Sequence, residues 1–468
     1  MQINRSNIQL KANPNRVIIN FLDIVVNTNN NGRVNRLIDT VLAIPENELH
    51  TLYEEIKNNF AFRHRNFEHY LKINFKKVQP ELPMNIVISE IRSLILGAYF
   101  SKEYSIQSAA LFNPSMVAHP NQNGLKEGDK RFILSLRAVG EGHISSIEFR
   151  SGIVNRNGEI KLDEETGFTS CSEKDHKKIY YKENILKNTA DLNEFDQSIM
   201  NVFEETFTLD DYLEKVRANE FLTFDGVTQA ELFHILDTNY DVFTDKNAPI
   251  CERVIFPNAV GESMGMEDVR FVAFTENDKT QYIGTYTAYN GHKISPQLII
   301  TDDFVHFKAR SMYGSAVSDK GMALFPEKID SKYVMIGRQG GENITMMYSD
   351  DLFIWDNYEV IMKPEDTWGY VQLGNCGSPI KTNEGWLVLT HAVGPLRKYV
   401  LGAILLDLED PSKIIKKLNK PLLSPNEEER EGYVPNVVYS CGSMAHEDNL
   451  ILPYAMSDSA STFASINI

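Results

Sequence analysis

The sequence is short of the features that mark secreted and membrane-spanning proteins. Its 468 residues include four cysteines that are far apart and form no CxxC pair, which argues against a zinc site or a disulfide framework. The apolar run that begins at Val17 is broken by Asn20 and Asp23, and no stretch approaches the roughly 20 apolar residues of a membrane span. These absences predict a soluble protein of a reducing, cytoplasmic compartment.

Positive charge is also scarce. The formal net charge is −17, and no block rich in Lys and Arg stands out. Because the phosphate backbone of a nucleic acid attracts the opposite sign, nucleic acid is not an expected partner, and a neutral or small polar substrate fits better. The sequence has no GxSxG, HExxH or P-loop motif and no cluster with metal-ligand spacing, so no metal or organic cofactor is expected.

Residues 1–104 differ in texture from the rest of the chain and predict a mainly helical N-terminal extension. Apolar residues recur there at three- and four-residue steps, which is typical of amphipathic helices. Two such faces can be distinguished, the first with Leu49, Leu52, Ile56 and Phe60 and the second with Ile88, Ile91 and Ile95. Because an added helical layer with an apolar face often makes contacts between protomers, a homo-oligomer is one expectation.

From about residue 105 the chain changes to short β-type runs separated by Gly, Asn and Asp. The alternating segment 131–137 and the segment 144–150 flank a tight turn and predict a hairpin. A polar helical insertion is predicted at about 195–245, where Thr208 and Asp211 resemble a capping box. The region 105–468 is therefore interpreted as an all-β core with a helical insertion.

An internal repeat indicates the architecture of this β region. The segment TDDFVHF at 301–307 matches SDDLFIW at 349–355, and each follows a pair of β-type runs. A unit of roughly 50 residues, built of successive strands and closed by an Asp-rich turn, is typical of a propeller blade. The region would hold about five or six such units. A pair of packed β-sandwich sheets is the alternative.

The segment 261–270, GESMGMEDVR, is the strongest candidate for a chemical centre. It places the adjacent acids Glu267 and Asp268 beside Arg270, directly before an apolar run that reads as a strand. In a propeller the strand ends point at a central funnel, so polar residues there converge. Carboxylates and cations together are the groups that glycosyl transfer requires, and clustered cations can also bind a single phosphate.

The chain resembles glycoside hydrolase family 130, the inverting β-mannoside phosphorylases and β-mannosidases on five-bladed propellers. The resemblance is spread over about 105–468 and rests on short motifs that occur in the family's order. They are Asn113-Pro-Ser, Leu136-Arg137, Met266-Glu-Asp-Val-Arg270, Tyr286-Thr-Ala-Tyr-Asn-Gly291, Lys320-Gly-Met-Ala-Leu-Phe-Pro-Glu-Lys328, Gly374-Asn-Cys-Gly-Ser-Pro379, Glu384-Gly-Trp-Leu-Val-Leu-Thr-His391, Leu405-Leu-Asp-Leu-Glu-Asp-Pro411, Gly432-Tyr-Val-Pro-Asn-Val-Val438 and Pro453-Tyr-Ala-Met-Ser-Asp458. The N-terminal region lies outside this match and resembles an extension carried by longer members.

The resemblance implies a role for each matched residue. Asp268 would be the general acid, passing its proton through a hydroxyl of the bound sugar, with Glu267 and Arg270 as supports. The residues implied in substrate binding are Asn113, Ser115, Arg137, Asn290, His391 and Asp458. The candidates for a phosphate pocket are Arg310, Lys320 and Arg338.

Two positions depart from the family pattern and leave the reaction open. Val269 replaces the usual proline, and Gln372 stands where phosphorylases commonly carry a phosphate-binding lysine. The first hypothesis is a phosphorylase that uses inorganic phosphate as co-substrate and releases mannose 1-phosphate from a β-linked mannoside. The second is an inverting β-mannosidase, for which Glu327 and Glu342 are candidate bases. The third, a sugar-binding propeller without catalysis, is disfavoured because Asp268 and its neighbouring charges are present.

Overall fold

β-Strands form most of the regular structure after residue 100, which confirms the predicted mainly-β core. The protein is described here from a computed structural model that covers residues 3–22, 31–84, 86–190 and 195–467. Within these ranges, none of the helices combines the length and the apolar character that crossing a membrane would require.

The N-terminal region contains the helices that its apolar periodicity predicts. Its elements are β1 (Ile3–Arg5), β2 (Leu10–Lys11), β3 (Val17–Phe21), α1 (Asn31–Leu42), α2 (Glu46–Phe60), α3 (Phe67–Val78) and α4 (Glu90–Tyr99). Helix α2 confirms the first predicted face, with Leu49 fully buried, although Phe60 at its end is 43% exposed. Helix α4 confirms the second face through Ile95, which packs in the core shared with α2 and α3.

The chain then pairs β4 (Ser101–Ser105) with β3 and enters the first of five groups of antiparallel strands, here named sheets I to V. Sheets I and II are hydrogen-bonded to each other in one larger sheet, through the parallel pairing of Gly265 with Ser145. Sheet I consists of β5 (Ala110–Ala118), β6 (Lys130–Val139), β7 (Ser145–Val154) and β8 (Ile160–Leu162), joined as successive antiparallel neighbours. The predicted hairpin is therefore confirmed as β6 and β7. Its connection is a short 3₁₀ turn, Glu141–His143.

A largely helical insertion follows sheet I. Its elements are β9 (Ser170–Cys171), β10 (Glu173–Lys174), β11 (Tyr180–Tyr181), α5 (Lys182–Asn188), β12 (Thr206–Phe207), α6 (Leu209–Arg217), α7 (Gly226–Thr238), β13 (Asp241–Phe243) and β14 (Arg253–Ile255). The predicted capping box is confirmed, because Thr208 and Asp211 accept each other's backbone N–H at the start of α6. The insertion begins earlier than predicted, since the short and polar helix α5 lacks an apolar stripe.

Sheets II to V complete the chain. Sheet II is β15 (Gly265–Glu276), β16 (Lys279–Tyr289), β17 (Ile294–Thr301) and β18 (His306–Ser311). Sheet III is β19 (Ala323–Leu324), β20 (Tyr333–Gly337), β21 (Ile344–Ser349) and β22 (Glu359–Met362). Sheet IV is β23 (Gln372–Asn375), β24 (Ile380–Lys381), β25 (Trp386–Val393), β26 (Tyr399–Leu406) and β27 (Ile414–Lys417). Sheet V is β28 (Val438–Tyr439), β29 (Met444–His446), β30 (Asn449–Met456) and β31 (Ala460–Asn467).

The first strands of the chain lie in the last sheet. Strand β1 pairs with β31 from Ile3 opposite Ile466, and β2 pairs with the same strand from Leu10 opposite Ser461. Segment 1–104 therefore contributes strands as well as helices. Strands of two or three residues are too short to produce a periodic pattern, which is why the sequence did not indicate them.

The internal repeat marks the same corner of two consecutive sheets. Thr301 and Asp303 accept backbone N–H groups in the turn from β17 to β18, and Ser349 and Asp351 do so in the turn after β21. Asp407 forms a comparable turn after β26. Short Asp, Ser and Thr side chains stabilise tight turns in this way, so the repeat is a repeated turn chemistry between third and fourth strands.

Each sheet packs on the next through a hydrophobic core of its own. Phe149 and Phe271 lie between sheets I and II, and Phe274 and Met335 lie between sheets II and III. The remaining contacts join sheets III and IV through Phe325 and Trp386, IV and V through Leu389 and Tyr454, and V and I through Phe463 and Phe132. The hydrogen-bonded strand order does not itself close into a ring among the described residues.

Gly97 offers a test of the helical layer. A Cβ built at this position would lie 2.1 Å from the backbone oxygen of Leu71, where α4 crosses α3, whereas one built at Gly226 meets nothing within 4 Å. We expect Gly97→Ala to lower the melting temperature, since overpacking typically costs about 1–3 kcal/mol. Gly226→Ala is the matched control. Equal melting temperatures for the two variants, measured by circular dichroism, would contradict this packing.

Candidate active site

Polar side chains from all five sheets meet in one group, called the central cluster here. Sheet I and sheet II contribute most of its charge, and the other three sheets contribute one or two side chains each. Its members are Asn113, Arg137, Glu267, Asp268, Arg270, Lys320, Arg338, His391, Tyr439 and Asp458. Hydrogen bonds, ion pairs and ring contacts link the first nine, and Asp458 is linked to Asp268 and Arg137 through their charges.

Two β-bulges place the acid pair and its amide partner. The pairing of β5 with β6 shifts between Phe112 and Ser115, and that of β15 with β16 shifts between Glu267 and Arg270. Inside the bulges, Asn113 and Asp268 have left-handed backbone, with φ of 51° and 54°. Asn and Asp tolerate this conformation better than most residues. A bulge re-aims a side chain, and here Asn113 Nδ2 donates to Asp268 Oδ1 at 2.7 Å.

Cations from two other sheets hold the acid pair. Arg137 divides its guanidinium between the two acids, with Nη2 at 2.6 Å from Glu267 Oε1 and Nη1 at 3.3 Å from Asp268 Oδ1. Lys320 donates to the other oxygen of Glu267 at 2.6 Å. Glu267 therefore bridges the cations of sheets I and III with both carboxylate oxygens. Buried carboxylates need such partners, because an unpaired charge in the interior is costly.

Asp268 is held in its ionised form. Burial raises the pKa of this carboxyl, but the charges of Arg137 and Arg270, the hydrogen bond from Asn113 and the charge of Lys320 together hold the pKa below its usual value. A general acid must carry a proton when it acts. Whether Asp268 carries a proton therefore depends on the charge of any ligand that binds in the cluster.

Arg270 and Tyr439 extend the cluster toward sheet V. Arg270 Nη2 donates to the Tyr439 hydroxyl at 2.6 Å, and Arg270 is only 2% exposed. Its Nε has no hydrogen-bond partner among the described residues. Burial raises the pKa of Tyr439, against the opposing charge of Arg270, so the phenol stays protonated. Its hydroxyl can donate one hydrogen bond to a ligand while accepting from Arg270.

His391 and Arg338 add the sheet III and sheet IV side of the site. The His391 ring lies 5.0 Å from the Tyr439 ring, and Arg338 Nη1 lies 3.5 Å from His391 Nε2. Burial and the charges of Arg338 and Arg270 lower the pKa of His391 to about 3. The imidazole is thus neutral, and because a cation faces Nε2, the proton is on Nδ1, which donates to the Asn375 carbonyl at 3.2 Å.

Asp458 comes from the turn between β30 and β31. Burial and the negative charge of Asp268 raise the pKa of Asp458 to about 6, against the opposing charges of Arg137 and Arg397. Asp268 and Asp458 are therefore shifted in opposite directions. Pairs of acids whose environments separate their pKa values in this way are characteristic of sites that transfer protons.

The structure brings most of the predicted residues together but leaves out three. Ser115 lies beneath the cluster, where its Oγ accepts from Phe271 N at 3.1 Å and ties the two bulges together. Asn290 caps the hairpin between β16 and β17. Arg310, on the outer strand β18, pairs with Asp241 at 2.6 Å. No contact among the described residues joins Asn290 or Arg310 to the cluster, and the roles that the family resemblance implies for them stay predictions.

Three more residues, Tyr439, Glu327 and Gln372, bear on the site. Tyr439 was not predicted, and no spacing signal marks it, since it is one aromatic residue at the end of a two-residue strand. Glu327, a candidate base for hydrolysis, pairs with Lys381 and lines a separate cavity with Thr275 and Pro326. Gln372 begins β23 and is half-buried, as a neutral residue in place of a cation.

The chain is similar in sequence to known proteins of the family that its motifs resemble. A 1,2-beta-oligomannan phosphorylase of Thermoanaerobacter sp. (strain X514) is 45% identical over 142 residues, 30% of this chain and 48% of the relative. A beta-1,2-mannobiose phosphorylase of Listeria innocua is 30% identical over 215 residues, 44% of this chain and 59% of the relative. The chain thus spans about half the length of these curated relatives.

Solved structures and a family model complete the comparison. The Listeria innocua beta-1,2-mannobiose phosphorylase, solved with beta-1,2-mannobiose, aligns with a TM-score of 0.45 and 20% identity over 78% of this chain and 91% of that chain. The model of glycoside hydrolase family 130, described as beta-1,4-mannooligosaccharide phosphorylase, matches residues 228–468. Because that match covers more than half of the chain, the protein belongs to glycoside hydrolase family 130.

Proposed function

We propose that the protein is an inverting glycoside phosphorylase that cleaves β-linked mannosides with inorganic phosphate and releases mannose 1-phosphate. The observation that carries this proposal is the composition of the central cluster. A carboxylate, Asp268, shares it with the cations Arg270, Lys320 and Arg338. Two of these, Arg270 and Arg338, have an Nε without a partner among the described residues. Clustered guanidinium and ammonium groups are suited to an anion such as phosphate. The names of the curated relatives support the same reaction.

In the proposed reaction, a phosphate oxygen forms a bond to the anomeric carbon of the mannosyl unit. The bond from that carbon to the leaving sugar oxygen breaks, and the leaving oxygen takes the proton that Asp268 gives up. The family resemblance implies that a hydroxyl of the bound sugar relays this proton. Attack from the face opposite the leaving group inverts the configuration. Asn113, Arg137 and Asp458 are proposed to hold the mannosyl unit.

The charge balance of the cluster supports a link between phosphate binding and the proton of Asp268. The cations that lower the pKa of Asp268 include Arg270 and Lys320, which are also the groups proposed to meet phosphate. An anion beside them offsets their field, so the pKa of Asp268 rises when phosphate binds. Asp268 then acquires its proton in the complex that needs it.

One residue, Gln372, favours the alternative reaction, hydrolysis by an inverting β-mannosidase. Gln372 gives this chain one cation fewer than the family resemblance leads us to expect in a phosphorylase. Hydrolysis would need a carboxylate base near the attacking water. Glu327, one candidate, is engaged by Lys381 instead, which favours the phosphorylase.

We also infer that sheets I to V form a five-bladed propeller. The cyclic order of their hydrophobic cores supports this, because sheet V packs on sheet I as well as on sheet IV. Segments of all five sheets also line one cavity at the far ends of the first strands, and these are residues 116–118, 271–275, 326–327, 378–381 and 442–445. Strands β1 and β2 would then complete the fifth blade. The reduced state of all four cysteines supports a cytoplasmic location.

The product of the reaction tests the proposal. We expect β-1,2- and β-1,4-linked mannooligosaccharides to yield mannose 1-phosphate only when phosphate is present, as identified by mass spectrometry. Asp268→Asn should lower kcat/KM by about 10²- to 10⁴-fold, because it removes the proton donor and keeps the side-chain volume. Free mannose in the absence of phosphate would support the mannosidase. Near-normal activity of a folded Asp268→Asn protein would contradict the role of Asp268.

Two lysines of one segment provide a matched test of phosphate binding. Lys320 pairs with Glu267 in the cluster, whereas Lys328 pairs with Glu276 away from it. We expect Lys320→Gln to raise KM for phosphate roughly 10- to 100-fold, because a hydrogen bond to a charged group contributes about 1.5–3 kcal/mol. Lys328→Gln should leave that KM unchanged. Equal effects of the two substitutions would contradict a phosphate pocket at Lys320.

The pH dependence of kcat/KM should report Asp458. Its pKa is raised to about 6, so the carboxylate is protonated as pH falls through that value. One of its oxygens then carries a proton, and the group can no longer accept hydrogen bonds from two sugar hydroxyl groups through both oxygens. We expect kcat/KM to fall below pH about 6, and Asp458→Asn, although less active, to lack this limb. Phosphate itself titrates identically in both assays, so only the difference between the profiles counts. His391, with a pKa of about 3, is neutral throughout this range. Superimposable profiles would contradict the assignment.

A further inference from the structure

A second cavity lies beside the segment that leads into the acid pair. Its volume is about 520 Å³, and its walls are one face of α7, the turn at Val260–Glu262 and the hairpin between β16 and β17. It is called the hairpin cavity here, and the residues that matter are Phe233, Val260, Asn290, Lys293 and Gln297. Cavities of this size accommodate small organic ligands.

The mouth of the hairpin cavity is apolar and open to solvent. Phe233 is 39% exposed, Val227 54% and Val260 62%. All three line the cavity, and the insertion contributes two of them through α7. Exposed apolar groups that line one concavity are characteristic of a binding site, because together they offer a ligand a continuous apolar surface. Apolar residues scattered singly over the surface do not.

The inner wall of the cavity is polar and incompletely satisfied. Gln297, on β17, is 4% exposed, and its Oε1 is shielded from solvent without a hydrogen-bond partner among the described residues. Buried amides are nearly always paired, so an unpaired one calls for a ligand or a function. Asn290 uses its Oδ1 to accept from His292 N and Lys293 N, and the exposed ammonium of Lys293 stands at the same hairpin.

This combination fits a sugar ring. A pyranose has an apolar face of C–H groups that packs on an aromatic or aliphatic side chain, and a rim of hydroxyl groups that exchange hydrogen bonds with amides and ammonium groups. Phe233 and Val260 supply the first kind of contact, and Gln297 and Lys293 supply the second. A protein helix would instead leave the polar inner wall unpaired.

The cavity also adjoins the central cluster along the chain. Met264 N donates to the Tyr289 carbonyl at 2.9 Å, and Gly265 pairs with Tyr289, so the hairpin and the acid-bearing strand share one edge. Gly261, in the cavity wall, precedes Asp268 by so few residues that even a fully extended chain spans at most about 25 Å between them. A separation within this bound is one that an oligosaccharide of several units can span.

We propose that the hairpin cavity is a second carbohydrate site, which holds a mannosyl unit of an oligomeric substrate at a distance from the bond that is cleaved. The proposal rests on the proposed function for the identity of the sugar. It assigns the helical insertion a role in substrate length: a long mannooligosaccharide contacts both the cluster and the cavity, whereas a disaccharide occupies the cluster alone.

The test compares a β-linked mannohexaose with the matching mannobiose. We expect Phe233→Ala to raise KM for the hexasaccharide about tenfold and to leave kcat and KM for the disaccharide unchanged. Phe62→Ala is the matched control, because Phe62 is a 72% exposed phenylalanine of the N-terminal region. Gln297→Met should weaken hexasaccharide binding similarly without lowering the melting temperature, since it removes an unpaired amide rather than a hydrogen bond.

Calorimetric titration of the Asp268→Asn protein separates this proposal from the proposed function. In that background, the hexasaccharide should bind about tenfold more weakly to the Phe233→Ala protein than to its parent, and the disaccharide should bind both equally. If the wild-type protein turns over both substrates and Phe233→Ala behaves as Phe62→Ala does, the second site is overturned and the phosphorylase stands. If the wild-type protein turns over neither substrate, the proposed function itself fails.

Discussion

Compensation of two adjacent carboxylates, one buried and one half-buried, is the constraint on which the site depends. Glu267 and Asp268 lie side by side on one strand, and their charges are balanced by Arg137 from sheet I and Lys320 from sheet III. A carboxylate that loses its partner in such a place costs several kcal/mol, so these contacts fix how three sheets meet. The same contacts set the protonation of Asp268. The contacts that link three of the sheets at the site therefore also set its chemistry.

Backbone irregularities are concentrated where the chemistry is proposed. Asn113 and Asp268 occupy bulges in the left-handed region, and Asp458 has the same conformation in its turn. In a regular strand successive side chains alternate between the two faces of the sheet, and the bulges are what allows Asn113 and Asp268 to meet. A strained backbone conformation persists only where the surrounding structure holds the residue in place. Such residues are common at functional sites. The cluster is thus placed by departures from the sheet rather than by the sheet itself.

The sequence predicted those structural features that depend on residues close together in the chain, because such features produce a recognisable pattern. The apolar face of α2, the capping box at Thr208 and the repeated Asp-rich corners each depend on residues close in the chain. The acid pair stood out from the pattern of its own segment and Arg137 through a family motif, and the structure brings them into contact. Arg310 and Asn290 lie apart from the other predicted residues, because which part of a strand faces the cluster is a long-range property that spacing does not encode. Tyr439 was missed for the same reason, since its role arises only when sheets II and V meet.

Strands β1 and β2 have a consequence for how the protein is made. Their partner is β31, and Thr462 bonds to Ser6 across 456 positions of the chain. At roughly 5–20 residues per second, a ribosome needs on the order of half a minute or more to supply that partner. Leu10 is buried among Met116, Phe132 and Phe463, so its apolar contacts are complete only when Phe463 has been added. Strands β1 and β2 therefore remain without their pairing partner β31 for most of synthesis. A chaperone that binds unfolded segments has correspondingly long to act on them.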